Sequence, residues 1–180
     1  MGKATQDLRK EHETILFVLK ILDKVMAANE EEDDVKLEYY DELIYFFKIF
    51  ADKCHHGKEE NYLFEALVNS GFQKEDGPIA VMLQEHRQAR EYLEMMSDAV
   101  KREDLTGFND NAEQYRDLLK NHIDKEENII FAMADKIVDE ESQDCLFEKF
   151  EQYEEEVIGS GVHEKLHAMI DIWAEDFKVE

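Results

Sequence analysis

Two stretches, HHGKEENYLF at 55–64 and HIDKEENIIF at 122–131, decide how this chain is read. Their shared KEEN places His55 over His122, Glu59 over Glu126 and Phe64 over Phe131, so both copies read H-x-x-x-E. On a helix, residues i and i+4 lie one above the other on the same face. Each copy therefore presents an imidazole and a carboxylate to one region. Taken alone, either copy reads more simply as an exposed helix with a polar i,i+4 pair. A second repeat separates the two readings: LRKEH at 8–12 resembles MLQEH at 82–86, with an apolar residue four before each histidine. The chain thus runs His12, His55-x-x-x-Glu59, His86, His122-x-x-x-Glu126, one part for each of four helices. Four histidines and two carboxylates turned inward suit a pair of metals, because a carboxylate can bridge two cations and offset their charge. A mixed nitrogen and oxygen set with open positions favours non-haem iron.

Outward from these motifs, apolar residues recur at steps of three and four, the mark of amphipathic helices. The stripes are Leu8, Ile15, Leu19, Leu22, Met26; then a Phe- and Tyr-rich helix over about 36–68; then Ile79, Met82, His86, Ala89, Leu93, Met96, Val100; then Phe108, Ala112, Tyr115, Leu119, His122, Glu126, Ile129, Met133. The acidic run EEEDD at 30–34 ends the first helix, and NSGFQKEDGP at 69–78 closes the second. The spacing predicts an up-down-up-down four-helix bundle, all-α, with a core over about 5–138. Residues 139–180 add two helices, one near 142–157 and, after the GSG turn at 159–161, one carrying His163, Leu166, Ile170, Trp173 and Phe177 on one face. These stripes need the bundle to bury them, so 1–180 reads as one domain.

Composition fits this reading. A single proline, Pro78, and seven glycines in 180 residues leave few helix breakers. A net charge of -24 speaks against a nucleic-acid partner, because a phosphate backbone calls for Lys and Arg. No run approaches the roughly 18 apolar residues of a membrane span, and the N-terminus has no apolar signal region. Cys54 and Cys145 make no disulfide framework. A cytoplasmic location is expected. Cys54 reads as a buried thiol, with a redox-sensitive one as the sharper alternative. Tyr115, seven before His122, reads as a core aromatic or as a hydrogen-bond donor beside the metals.

The residues quoted resemble the hemerythrin-like, HHE-type cation-binding domains over about 5–138. The specific marks are the lone histidine of the first helix, H-x-x-x-E-E followed by LF, the Gly77-Pro78-Ile79…Glu85-His86 opening of the third helix, and HIxKEE followed by IF. Glu65 and Ala132 stand where most members have proline, a difference confined to the local helix. The resemblance implies two iron ions with carboxylate and oxo or hydroxo bridges, held by His12, His55, Glu59, His86, His122 and Glu126. It implies a protein that binds dioxygen for storage, transport or sensing, more a binding protein than an enzyme. An iron-handling or iron-sensing module, a di-iron enzyme acting on peroxide or nitric oxide, and a zinc-bound structural bundle are the alternatives. Dioxygen or a related small molecule is the partner expected; no protein partner is indicated.

Two questions stay open at this level. His56 with Glu60 forms the same i,i+4 pair, and the stripe through Ile49, Leu63 and Leu67 favours it, whereas the repeat and the spacing to Phe64 favour His55 and Glu59. Oxygen-carrying hemerythrins also have a fifth histidine one turn before the third-helix ligand, where this chain has Met82. His56, His163 and His167 are the candidates for that role. A tail histidine that coordinated metal would make the last helix a lid.

Overall fold

The computed structural model describes residues 1–31 and 35–180. It is an all-α bundle with two further helices, the architecture that the periodicity predicts. Helix α1 is Lys3–Glu30. Residues 32–34 of the acidic run lie outside the described residues. Helix α2 runs over 37–69, from Leu37–Phe46 through the π-helical turns Phe47–His56 and Glu59–Leu63 to Phe64–Asn69. Helix α3 is Pro78–Lys101. Helix α4 runs over 105–137, with its own π-helical turn, Glu126–Ile130, between Leu105–Lys125 and Phe131–Ile137. Helix α5 runs over 140–158 and α6 is Val162–Phe177.

The turns follow from local chemistry. Helix α2 ends in a Schellman motif: Gly71 takes φ 101°, Phe72 N–H donates to the Leu67 carbonyl and Gly71 N–H to that of Val68. Helix α3 starts with Pro78 in its first turn, where a missing N–H costs nothing. Asp104 and Asp139 cap α4 and α5 by accepting from the Gly107 and Ser142 amides, at 2.8 Å each.

Helix α1 is buried on more than its expected stripe. Besides Leu8, Ile15, Leu19, Leu22 and Met26, it buries Ala4, Glu11, Val18, Ile21 and Val25. The C-terminal helices pack across α1. Trp173 of α6 is fully buried against Phe46, its indole N–H donating to Glu42 at 3.0 Å. Helix α5 is tied to α2 by the Tyr153 hydroxyl, which donates to the Lys53 carbonyl at 2.9 Å. That ring crosses Gly57 so closely that a Cβ there would stand 2.3 Å from the Tyr153 oxygen.

The apolar interior falls into two clusters. One contains Ile15, Leu19, Phe46, Phe47, Phe50, Leu93, Tyr115, Leu119 and Trp173. The other contains Leu8, Leu63, Phe64, Met82, Ile130, Phe131 and Phe150. On each bundle helix the histidines and glutamates of the motifs fall between the two. The polar layer is therefore sandwiched by hydrocarbon. Among the described residues no helix is long and apolar enough to cross a membrane.

Because Trp173 anchors α6, Trp173→Ala should destabilise the protein by roughly 3–5 kcal/mol. Denaturant unfolding measures this, and limited proteolysis should cut first within 159–180.

Candidate metal centre

Six buried side chains named by the repeats, His12, His55, Glu59, His86, His122 and Glu126, converge between the apolar clusters, and His56 joins them. They form two groups. Potential ligand atoms of His56, Glu59, His86 and His122 lie within 4.8 Å of one another, as do those of His12, His55, Glu59 and Glu126. Glu59 turns one oxygen to His55 Nε2 (3.3 Å) and the other to His86 Nε2 (3.4 Å). Glu126 turns one oxygen to His12 Nε2 (3.3 Å) and the other to His122 Nε2 (3.2 Å) and His86 Nε2 (3.8 Å). Each glutamate thus reaches from a two-histidine half, His12 and His55, to a three-histidine half, His56, His86 and His122.

The π-helical turns explain how two adjacent histidines enter one site. In an α-helix, successive side chains diverge by about 100°. A turn closed by i→i+5 bonds holds an extra residue, which narrows that angle. His55 and His56 end such a turn, and both are buried, at 1% and 2% exposed. The two registers that the sequence sets against each other are thus both used: His55 and Glu59 serve the two-histidine half, and His56 stacks on His86 at 3.8 Å in the other. Glu60 faces the outer side of His86 instead. Met82 packs in the apolar cluster. The tail histidines lie elsewhere. His163 neighbours Cys54 and Glu154, and His167 packs near Phe50; neither belongs to the two groups. Tyr115 sits edge-on to Phe47 in the apolar core.

Sequence reasoning missed the carboxylates that hold the histidines. Every Nδ1 of the five faces one: His55 faces Glu11 (2.8 Å), His86 faces Glu60 (2.8 Å), His122 faces Glu85 (2.9 Å), His12 faces Glu127 (3.0 Å) and His56 faces Asp52 (3.3 Å). The first four close a ring around the bundle. Helix α1 holds the histidine of α2, α2 that of α3, α3 that of α4, and α4 that of α1. Each of these carboxylates also meets a cation from the helix whose histidine it serves. Lys58 bonds Glu11 (2.7 Å), Arg90 bonds Glu60 (2.7 Å), Lys125 bonds Glu85, and Arg9 approaches Glu127 (3.7 Å). The signal was present as Glu-His at 11–12 and 85–86 and Glu-Glu at 59–60 and 126–127. Its meaning lies in the neighbouring helix, not the local one.

Such a ring fixes the tautomer. Nδ1–H donates outward and leaves each Nε2 lone pair pointing in, the arrangement metal-ligating histidines use. Inside it, His12 Nε2, His55 Nε2 and all four oxygens of Glu59 and Glu126 are buried with no hydrogen-bond partner. Buried carboxylates without donors are costly unless cations face them, so the donor set fits metal. Burial opposes the charged form of Glu126, yet the nearby imidazoles of His122 and His12 hold its carboxyl well below the carboxylate range. Burial also opposes charge on His86, and the carboxylates of Glu126, Glu59 and Glu60 around it still raise it. Burial and the neighbouring His86 and His122 push His56 down.

A family model, the hemerythrin HHE cation binding domain, matches residues 3–134. The chain belongs to this family. It is therefore a cation-binding domain, and its His and Glu clusters are where a metal can be held. Comparison with curated proteins and with solved structures gave no match. Residues 139–180, with α5 and α6, lie beyond the matched segment.

Two outcomes follow. Glu59→Ala or Glu126→Ala should abolish metal uptake at both halves, whereas Glu60→Ala should weaken it by about 10–100-fold through His86; metal titration of the purified variants separates them. The second concerns pH. Burial opposes charge on His55, but Glu59 and Glu11 raise it to about 10 from an ordinary 6.5. Its contribution is complete below pH 6.5 and is lost as pH rises through 10. Burial would raise Glu11, but the His55 bond and Lys58 hold it at about 2 against 4.5, so its contribution is present above pH 4.5 and lost as pH falls through 2. The melting temperature of the metal-free protein should peak between pH 4.5 and 6.5 and fall toward pH 10. The metal-loaded protein should lose the alkaline fall, because metal replaces the proton.

Proposed function

We propose that this chain holds two iron ions and binds dioxygen reversibly at the half served by His12 and His55. The observation that carries the reading is the inequality of the two halves. Counting one oxygen from each bridging glutamate, three histidines give one half five protein donors, and two give the other four. The poorer half is the place for a small molecule.

The donor types support iron. Imidazoles and carboxylates without thiolate are the ligands of non-haem iron sites, and the Cys54 thiol faces Glu11 and His163 rather than the histidine groups. A structural zinc site is closed and four-coordinate, which five donors in one half do not match. Two ferrous ions would supply the two electrons that dioxygen takes up on binding.

The protein's part is to position and to exclude. Glu59 and Glu126 offset the charge of two cations and set their spacing. The ring of Glu11, Glu60, Glu85 and Glu127 keeps four imidazoles in one tautomer and one orientation. Phe131 stacks on His12 at 5.2 Å and Phe64 on His86 at 5.9 Å, walling the centre on one side. Ile15, Phe47 and Phe50 belong to the cluster on the other. Keeping water and protons from a bound dioxygen is what a carrier or sensor needs and what rapid turnover would not.

Iron analysis of protein expressed with iron should give about two per chain. The ferrous protein, exposed to air and then degassed, should gain and lose a ligand-to-iron charge-transfer band over repeated cycles. Zinc as the sole metal would overturn the iron reading. Permanent oxidation in one cycle would overturn reversible binding and favour the sensing or catalytic alternatives.

A further inference from the structure

One of the four carboxylate-cation grips differs from the others. Arg9, Arg90 and Lys125 keep 24%, 38% and 36% of their side chains exposed, but Lys58 keeps 1%. A buried ammonium must be surrounded by acceptors. Lys58 has three: Glu11 at 2.7 Å, Asp7 at 3.3 Å, and Glu154 at 3.0 Å. Glu154 belongs to α5, beyond the segment that the family model matches. Its other oxygen lies 3.0 Å from His163 Nδ1 of α6.

A continuous chain of contacts therefore runs from the C-terminal helices inward: His163, Glu154, Lys58, Glu11, His55. Among the described residues no comparable path from the tail reaches His12, His86 or His122. Glu11, Cys54, Glu154 and His163 could by their spacing hold a cation themselves, with donor atoms within 4.8 Å. The Lys58 ammonium already bonds both carboxylates of that group, so the cluster is built around an amino acid's own cation.

We infer that Glu154 is a positioning residue for the metal centre, acting through Lys58 and Glu11 to fix the ring of His55, so that the C-terminal helices set the properties of the two-histidine half alone. This rests on the two-metal reading given above. The physical argument is one of competition. Glu11 accepts from both His55 Nδ1 and Lys58, and Lys58 shares its protons among three carboxylates. Without Glu154, the ammonium is free to shift toward Asp7 and take Glu11 with it. The His55 ring then loses the acceptor that holds Nδ1 outward and Nε2 inward. Outer-shell partners of metal-bound histidines typically matter by 10–100-fold in affinity. The two-histidine half has the fewest donors, so it is where a loosened imidazole has the largest effect.

Glu154 is suited to the test because it is 30% exposed and, with His163, lines an open surface cavity of about 390 Å³. Replacing it leaves no second buried charge at that position. The full-length protein is loaded with two cobalt(II) ions, and their release to excess chelator is followed. Glu154→Leu should accelerate one of the two release phases by about 10-fold and leave the other unchanged. Glu154→Gln, which keeps an acceptor oxygen for Lys58, should restore most of the slow release. Tyr153→Phe, which loosens the same helix without touching Lys58, should leave both phases as in the wild type. In the metal-free protein, the imidazole N–H resonance of His55 should broaden by solvent exchange in Glu154→Leu while those of His86 and His122 persist. Unchanged release in Glu154→Leu, equal acceleration of both phases, or the same effect from Tyr153→Phe would overturn the positioning role while the two-metal centre stands. A wild-type protein that takes up only one cobalt, at the three-histidine half, would overturn both.

Discussion

Four carboxylate oxygens, those of Glu59 and Glu126, lie in the middle of this bundle with no hydrogen-bond donor. Buried carboxylates without donors are costly in themselves, and the rest of the structure is arranged around them. Two apolar clusters close over the layer that contains them, which lowers the local dielectric and makes unbalanced charge worse. Histidine Nε2 atoms crowd to within 3.2–3.4 Å of these oxygens. In the metal-free protein, protons on His55, His86 and His122, whose imidazoles the neighbouring carboxylates hold above the ordinary value, supply the balancing charge; a bound cation would take their place. The site is in this sense a pocket for positive charge before it is a site for any particular ion.

Charge of one sign alone would not orient the ligands. That is the work of the outer ring, in which a carboxylate on each helix holds the imidazole of the next and is itself held by a cation from that next helix. The device is cyclic because the bundle is: two repeats, each an E-H helix followed by an H-x-x-x-E-E helix, place equivalent groups at equivalent heights. The symmetry is broken in two places. The π-helical turn over Phe47–His56 brings in His56, which has no counterpart near His122. That single extra imidazole makes the halves unequal, and the inequality is what the proposed dioxygen chemistry needs.

The second break is at Lys58. Its counterpart in the repeat, Lys125, reaches Glu85 at the surface and finishes there. Lys58 is covered by α5, and covering it required further acceptors, which Asp7 and Glu154 supply. The C-terminal helices are therefore more than a lid of hydrocarbon on α1. They reach the metal centre by a polar route, and not through a tail histidine acting as a ligand. His163 is at the outer end of that route, with Glu154 between it and Lys58.

The sequence by itself determined the helices, their number and order, and, through its two repeats, six of the seven side chains that turn into the polar layer. This was possible because helix periodicity is local: a stripe at steps of three and four, or a His and Glu four apart, has the same meaning wherever the helix lies. It left the choice between His55 and His56 open, because stripe counting assumes one constant pitch and the helix changes pitch at that point. It gave no role to Glu11, Glu85 and Glu127 and weighed Glu60 only as a rival ligand paired with His56, although all four stand beside a named ligand. Adjacent residues on a helix point in different directions, so a neighbour in sequence serves a different helix in space. Only tertiary structure decided those partnerships, and only it showed Lys58, one lysine among many charged residues, to be buried beneath a helix nearly one hundred residues further along the chain.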